Sequence, residues 1–421
     1  MRMLRLRSYY DPEQIAGTHL DHDLSEAIAS NEITCVNYTP TPSRGVSDAV
    51  YRDYKLPEKR VQVEYNGHMI INRFPMFKEG KNTIQRVFRY LACSLREYQL
   101  GTRAEDIELV YSSSTPPTQG MLSALVAKRL SRKYRRKVPF VYNLQDIFPD
   151  SLVTAKMIRK GSLIWKLGRK IEDYTYRNAD KIIAVSEDFK SNIMEKGVQE
   201  GKIVVVPNWI DSHTVHPIER VNNVLFDRFK LPREKFYICY SGNIGHSQNI
   251  EMLVEAADRI RHLNRDITFV IIGEGARKEY LVSEIDRREL ENIKVFSFQP
   301  YEDISSVFSL GDADLIISKN GTGGSSVPSK TWSIMAAERP ILASFDLDSE
   351  LIHLINQTQC GVFSDADDID GFISAIISLY NNKFDRINMG HRGRTYVKEN
   401  LDKDVCTQKY IDVFLTAARQ N

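Results

Sequence analysis

The chain has 421 residues, 42% hydrophobic and 27% charged, with a net charge of +2; two domains of a soluble globular protein are expected, and no global pull on a polyanion such as nucleic acid. Five scattered cysteines lack metal-ligand spacing, the first seven residues carry no apolar signal core, and no window approaches the roughly 20 apolar residues of a membrane span. The expected location is the cytoplasm, at most peripheral on the inner face of the cell membrane.

Residues 4–7 alternate and predict a first strand, 21–30 a helix with acids in its first turn, and 33–38 a strand. Residues 40–60 are polar, Pro-rich and irregular, 69–74 predict a strand, and 86–100 an amphipathic helix. A regular alternation follows: strands at 107–111, 140–143, 181–185 and 203–206, with helices at 117–131, 164–176 and 187–196 between them. Residues 207–230 have no periodicity and are read as a linker. The pattern then restarts, with strands at 236–240, 268–272, 293–296, 314–318, 341–344 and 361–363, and clear helices at 250–263 and 370–380. Helical stretches at 385–399 and 405–418 close the chain. Strands separated by helices pair in parallel through right-handed crossovers. The expectation is an α/β protein of two Rossmann-like, doubly wound domains, residues 1–206 and 231–395, facing a cleft. Ligands of such sheets bind at the carboxyl ends of the strands.

The stretch from Ser318 to Lys330, Ser-Lys-Asn-Gly-Thr-Gly-Gly-Ser-Ser-Val-Pro-Ser-Lys, lies between a buried strand and a helix over 330–338. That order aims backbone N–H groups and a positive dipole end at one point, and Lys319 and Lys330 bracket the turn. It suits a compact anion such as a nucleotide diphosphate; the plain alternative is a surface turn with two solvated lysines. Tyr240-Ser-Gly-Asn-Ile-Gly245, then His-Ser-Gln248, closes the first strand of the second half, and Gly242, Asn243, Gly245 and Gln248 are placed at the same phosphate. The run is not G-x-G-x-x-G, which argues against a nicotinamide dinucleotide. Gly273 and Glu274 lie in a tight turn suited to a flat ring, or in a simple turn. Ser349 and Glu350 follow another strand; Glu350 would meet ribose hydroxyls or sit in the first turn of the next helix. In the first half, Gly17 and Thr18 follow the first strand. Asp146 ends another, where it would orient an acceptor hydroxyl or take its proton, or cap a helix beside Pro149. Asp312-Ala-Asp314 reads as structural, and no metal site is expected.

Two acid-free basic stretches stand in the first half. Lys128, Arg129, Arg132 and Lys133 belong to one; Lys160, Trp165 and Lys166, among Leu, Ile and Met, belong to the other. They suit an anionic bilayer surface, against the alternatives of a solvated helix face or nucleic acid.

These motifs together resemble a GT-B glycosyltransferase of the large retaining family 4, in the branch of bacterial O-antigen and capsule synthesis that includes N-acetyl-fucosamine transferases. The resemblance is carried by Tyr9-Tyr-Asp-Pro-Glu13 with Gly17, Asp146-Ile-Phe-Pro-Asp150, Ala184-Val-Ser186, Val206-Pro-Asn-Trp-Ile-Asp211, Tyr240 to Gly245, Ile272-Gly-Glu-Gly275, Gly311-Asp-Ala-Asp314, and Val327-Pro-Ser-Lys330 through Pro340. It implies a UDP-sugar held mainly by the second domain, with Gly242, Asn243, Lys319, Ser329 and Lys330 at the diphosphate, Asn320, Val327 and Pro328 also binding the donor, and Gly17 approaching the donor phosphates from the first domain. It also implies a terminal segment, 396–421, that returns to the first domain, no catalytic metal, and an acceptor that is polyprenyl-diphosphate-linked or a growing polysaccharide. The chain departs from the family's paired glutamates (Ser325 and Ser333 stand there), from an Arg and a Lys of the first loop (Asn243 and Gln248), and from a His before Asp146 (Gln145). An alternative on the same architecture is a UDP-N-acetylglucosamine 2-epimerase.

Overall fold

The computed structural model describes residues 1–13, 17–80, 82–154, 156–322 and 327–419. The chain forms two compact units, one of residues 1–208 with 406–421 and one of residues 209–405.

The first unit is built on an eight-stranded sheet. Its strands are β1 (Arg2–Leu6), β2 (Thr34–Pro40), β3 (Val61–Glu64), β4 (Met69–Phe74), β5 (Leu109–Ser113), β6 (Phe140–Leu144), β7 (Lys181–Ala184) and β8 (Ile203–Val205). The order is β3-β4-β2-β1-β5-β6-β7-β8. All pairs are parallel except β3–β4, an antiparallel edge hairpin. The helices are α1 (Thr18–Ser30), α2 (Asp48–Asp53), α3 (Thr83–Gly101), α4 (Gln119–Tyr134), α5 (Asp150–Thr154), α6 (Leu163–Asn178) and α7 (Glu187–Glu195). The stretch read as irregular at 40–60 therefore carries a helical turn, α2, capped by the Ser47 side chain on the Val50 N–H. Strands β1, β5 and β6 are almost wholly apolar on the side of α4 and α6, as burial on both faces requires.

The second unit carries α8 (Leu225–Arg228), β9 (Phe236–Ser241), α9 (Ile250–Leu263), β10 (Ile267–Ile272), α10 (Lys278–Arg287), β11 (Ile293–Phe296), α11 (Ile304–Phe308), β12 (Ala313–Ile317), α12 (Lys330–Ala336), β13 (Ile341–Ser344), α13 (Glu350–Thr358), β14 (Gly361–Ser364), α14 (Ile369–Asn381) and α15 (Lys383–Tyr396). The six strands are all parallel, in the order β11-β10-β9-β12-β13-β14. The chain moves outward from β9 through β10 to β11, then returns to β12 on the other side. The order thus reverses between β9 and β12, and the crevice outside their carboxyl ends is where such sheets take ligands. One apolar layer packs α9 and α14 on one face, and another packs α12 and α13 on the other.

The last helix, α16, runs Lys403–Arg419, and from Cys406 it belongs to the first unit. There the Phe414 ring meets Tyr111 of β5 edge-on, centroids 4.9 Å apart.

Candidate functional site

Strands β9 and β12 are hydrogen-bonded neighbours, with Ile238 opposite Ala313 and Cys239 opposite Asp314. The loops that leave them therefore start side by side on one edge. The Lys319 N–H donates to the Ser247 carbonyl at 2.9 Å, and the Thr322 hydroxyl to the same carbonyl at 3.2 Å. The two loops expected to share one phosphate are joined at that point.

The loop after β9 is fixed from below. Gly242 has φ 143°, and its N–H donates to the Ile272 carbonyl at 3.0 Å. The turn after β10 packs directly against it: a Cβ on Gly273 would lie 2.0 Å from the Gly242 carbonyl oxygen, and one on Gly275 2.3 Å from that of Ile244. Glycine is required here by loop-on-loop packing. The Gln248 side chain accepts from the Gly245 N–H at 2.9 Å, and Asn249 caps α9 by accepting from the Met252 N–H. Asn243 is exposed on the outer side of this loop, while Glu274 pairs with Lys278 at 2.7 Å.

Lys330, the first residue of α12, reaches this loop. Its Nζ sits 3.6 Å from the centroid of the Tyr240 ring and 3.2 Å from where a Gly242 side chain would begin. Glycine at 242 thus leaves the room the amine occupies, and the ring face favours a cation. The residue as a whole is half-buried, so the shift in its proton affinity belongs to the amine end. Burial pushes the amine down to about 7, against the pull of the Asp314 carboxyl. Asp314 itself is fully buried in β12 with neither oxygen hydrogen-bonded. Burial drives its acidity well down, so its carboxyl titrates far above the usual range, although Arg339 and Lys330 oppose this. Asp312 pairs with Arg220 at 2.5 Å and accepts from the Tyr237 N–H, as a structural residue does.

The far loop is partly satisfied within the chain. Lys319 forms an ion pair with Glu251 of α9 at 3.2 Å. The Asn320 N–H donates to Asp367 at 3.4 Å and the Gly321 N–H to Asp346 at 2.8 Å. Ser329 precedes α12 without a side-chain cap, and Val327 and Pro328 are half-buried beside it. Residues 323–326, which include Ser325, lie outside the described residues. Ser349 caps α13, accepting from the Ile352 N–H at 3.4 Å, and Glu350 is the first helical residue.

In the first unit, Gly17 has φ 83° and precedes Thr18, the first residue of α1. Ala16 lies outside the described residues. Asp146 is exposed beyond β6, with its N–H bonded to the Ser114 hydroxyl at 2.9 Å and its carboxylate accepting from Ser151 at 3.2 Å. It caps no helix; α5 begins at Asp150. Gln145 beside it is held by Asn143 and Asn208. Lys128, Arg129, Arg132 and Lys133 are exposed on α4; Lys160 and Lys166 are exposed before and on α6, where Trp165 donates to Asp150 at 3.1 Å. Among the described residues no cluster of His, Cys, Asp and Glu could hold a metal ion, and no helix is long and apolar enough to cross a membrane.

Sequence reasoning missed Tyr240 as the platform for Lys330, and the acids Glu251, Asp346 and Asp367 that engage the far loop. Tyr240 lies next to the last residue of a buried strand, so its hydroxyl was a signal that one end faces a polar site. The acids lie 25 to 68 positions away from their partners and carried no local signal.

Comparison with known proteins places both halves. Residues 69–214 match the model "Glycosyltransferase Family 4", and residues 222–396 match "Glycosyl transferases group 1". A Pseudomonas aeruginosa protein named as a probable glycosyltransferase, WbjE, is 24% identical over 342 residues, 80% of this chain and 82% of that protein. A candidate colanic acid biosynthesis glycosyl transferase of Escherichia coli (strain K12), WcaI, is 26% identical over 277 residues, 65% of this chain and 66% of its own length. The Anabaena protein HepE, solved in complex with UDP, superposes with a TM-score of 0.69 over 99% of this chain and 100% of that one, at 13% identity. The chain is a glycosyltransferase with the two-domain, Rossmann-like GT-B fold, a family 4 half followed by a group 1 half.

Proposed function

We propose that the protein transfers a sugar, with retention and without a metal, from a UDP-sugar to a polyprenyl-diphosphate-linked or growing polysaccharide acceptor. The observation that carries the donor assignment is the amine of Lys330 against Gly242 and Tyr240, where two neighbouring strands end. A desolvated amine that titrates near neutrality gains most from an anion that restores its charge. Gly242 leaves room for the amine, and Asn243 and Ser329 are exposed in the two loops. The diphosphate of the donor fits this need, and a UDP complex of the HepE neighbour supports the choice of nucleotide. The donor sugar is N-acetylated on this reading, because the Val327-Pro-Ser-Lys330 segment is that of the resembling branch. Asp146, exposed at the end of β6, orients the acceptor hydroxyl. Names in polysaccharide synthesis among the relatives support a surface glycan as product.

The experiment is a thermal-shift screen of UDP-, GDP- and dTDP-sugars. A ligand at 100 times its Kd stabilises the fold by about 2.7 kcal/mol. UDP-N-acetylated sugars should give the largest shift. A preference for GDP-sugars, or formation of an epimer from UDP-N-acetylglucosamine without acceptor, would overturn the reading.

A further inference from the structure

Helix α3 is turned inside out. Its inward face carries Arg89 and Glu97, both fully buried. Arg89 donates to the Phe77 and Thr41 carbonyls, and Glu97 accepts from Gln119 at 2.8 Å and from Ser8. Its outward face carries Val87, Phe88, Leu91 and Leu95. Phe88, Leu91 and Leu95, three and four residues apart, form one stripe and are 66%, 60% and 62% exposed. A helix that buries Arg89 and Glu97 and shows an apolar stripe outward leaves that stripe for another phase.

The stripe does not stand alone. The Glu97–Gln119 bond ties α3 to α4, and α4 lies so close to α6 that a Cβ on Gly120 would meet Thr175 at 2.4 Å. The first turns of α6 are apolar and outward as well, with Leu163 85% exposed and Ile164 and Leu167 beside it. Charge across this layer has one sign. The exposed charges of α3 and α4 are all basic, and α6 has no acid before the buried Glu172.

We infer that the outward faces of α3 and of the first turns of α6 insert into the headgroup boundary of an anionic lipid bilayer, while the lysines and arginines between them bind its phosphates. An apolar stripe set among cations matches that boundary in both layers. A second copy fits less well, because a two-fold contact would set basic residues against their own equivalents. The inference locates the membrane on which a lipid-linked acceptor of the preceding reading would lie, but its test needs neither donor nor activity.

The described cysteines are all buried, so a Leu91→Cys chain accepts an environment-sensitive fluorophore at one place. The labelled full-length protein is mixed with phosphatidylcholine vesicles, with and without phosphatidylglycerol. Emission should shift to the blue only with phosphatidylglycerol present, and salt should reverse it. In flotation of unlabelled protein, Phe88→Asp should weaken binding at least about tenfold. Lys160→Glu with Lys166→Glu should weaken it about 25-fold or more, about fivefold for each cation lost near the surface. No blue shift at position 91 with anionic vesicles, or equal binding to neutral and anionic vesicles, would overturn the inference. So would a blue shift that rises with protein concentration in the absence of vesicles, which would assign the stripe to a second copy.

Discussion

Replacement of Lys330 by Met tests the donor site from two sides. Burial takes the amine from 10.5 to about 7. At about 1.36 kcal/mol per unit, that gap corresponds to about 5 kcal/mol against the charged form in the folded chain. The side chain is half-buried, so solvent screening reduces this to about 1–2 kcal/mol. The pull of the Asp314 carboxyl opposes this shift and is already contained in it. The folded value is the lower one, so the penalty is complete below about 7 and fades as pH rises toward 10.5, where the unfolded lysine also loses its proton. Met keeps a contact with the Tyr240 ring and carries no charge. Lys330→Met should therefore raise the unfolding free energy by about 1–2 kcal/mol below neutrality, and by little near the upper value. Binding should move the other way. A hydrogen bond from an ammonium to phosphate contributes about 1.5–3 kcal/mol, so UDP affinity should fall about 10- to 150-fold. Calorimetry of UDP binding to the parent chain, in buffers of different ionisation enthalpy, should show proton uptake above neutral pH. Unchanged affinity of the variant, with buffer-independent heat, would refute the reasoning.

Gly273→Ala drives a Cβ into the Gly242 carbonyl oxygen, so it should cost about 1–3 kcal/mol in thermal unfolding and weaken UDP binding with it. Lys319 is paired with Glu251 and solvated, so Lys319→Ala should change stability by less than about 1 kcal/mol and UDP affinity far less than Lys330→Met does. Asp146→Asn should lower kcat about 10²-fold or more while UDP binding, by titration, stays as it was. Glu97 is pushed up to about 8 by burial, so the folded chain is penalised increasingly as pH rises from the ordinary 4.5 through that value. Glu97→Gln should be neutral in acid and stabilising by about 1–3 kcal/mol in alkaline denaturant titrations.

The second unit was legible because its strands are short apolar runs between glycine turns. Residues 267–272 and 341–344 admit little but a buried strand, and the glycines at 242, 273 and 275 announced close backbone approach. Strand β3 was not legible. Its four residues alternate, but Val61 and Val63 point outward on an exposed edge and sit in polar surroundings. The five longer helices of the first unit were found and the short α2 and α5 were not, and α3 hid its meaning: amphipathicity shows that a helix has two faces, not which one the core takes. At the site, the position of Lys330 at the start of α12, behind the glycine-rich turn, was legible. The pairing of Lys319 with Glu251, and of the 320–321 backbone with Asp346 and Asp367, depends on how loops of three different crossovers meet. No local window contains that.

The proposed donor site grips one pyrophosphate where β9 and β12 end. Hydrogen exchange of the full chain with saturating UDP tests it most directly. Slowed exchange at residues 242–248 and 327–331, with the edge strand β11 unchanged, is the predicted result. Protection confined to other segments, or none at saturation, would contradict it.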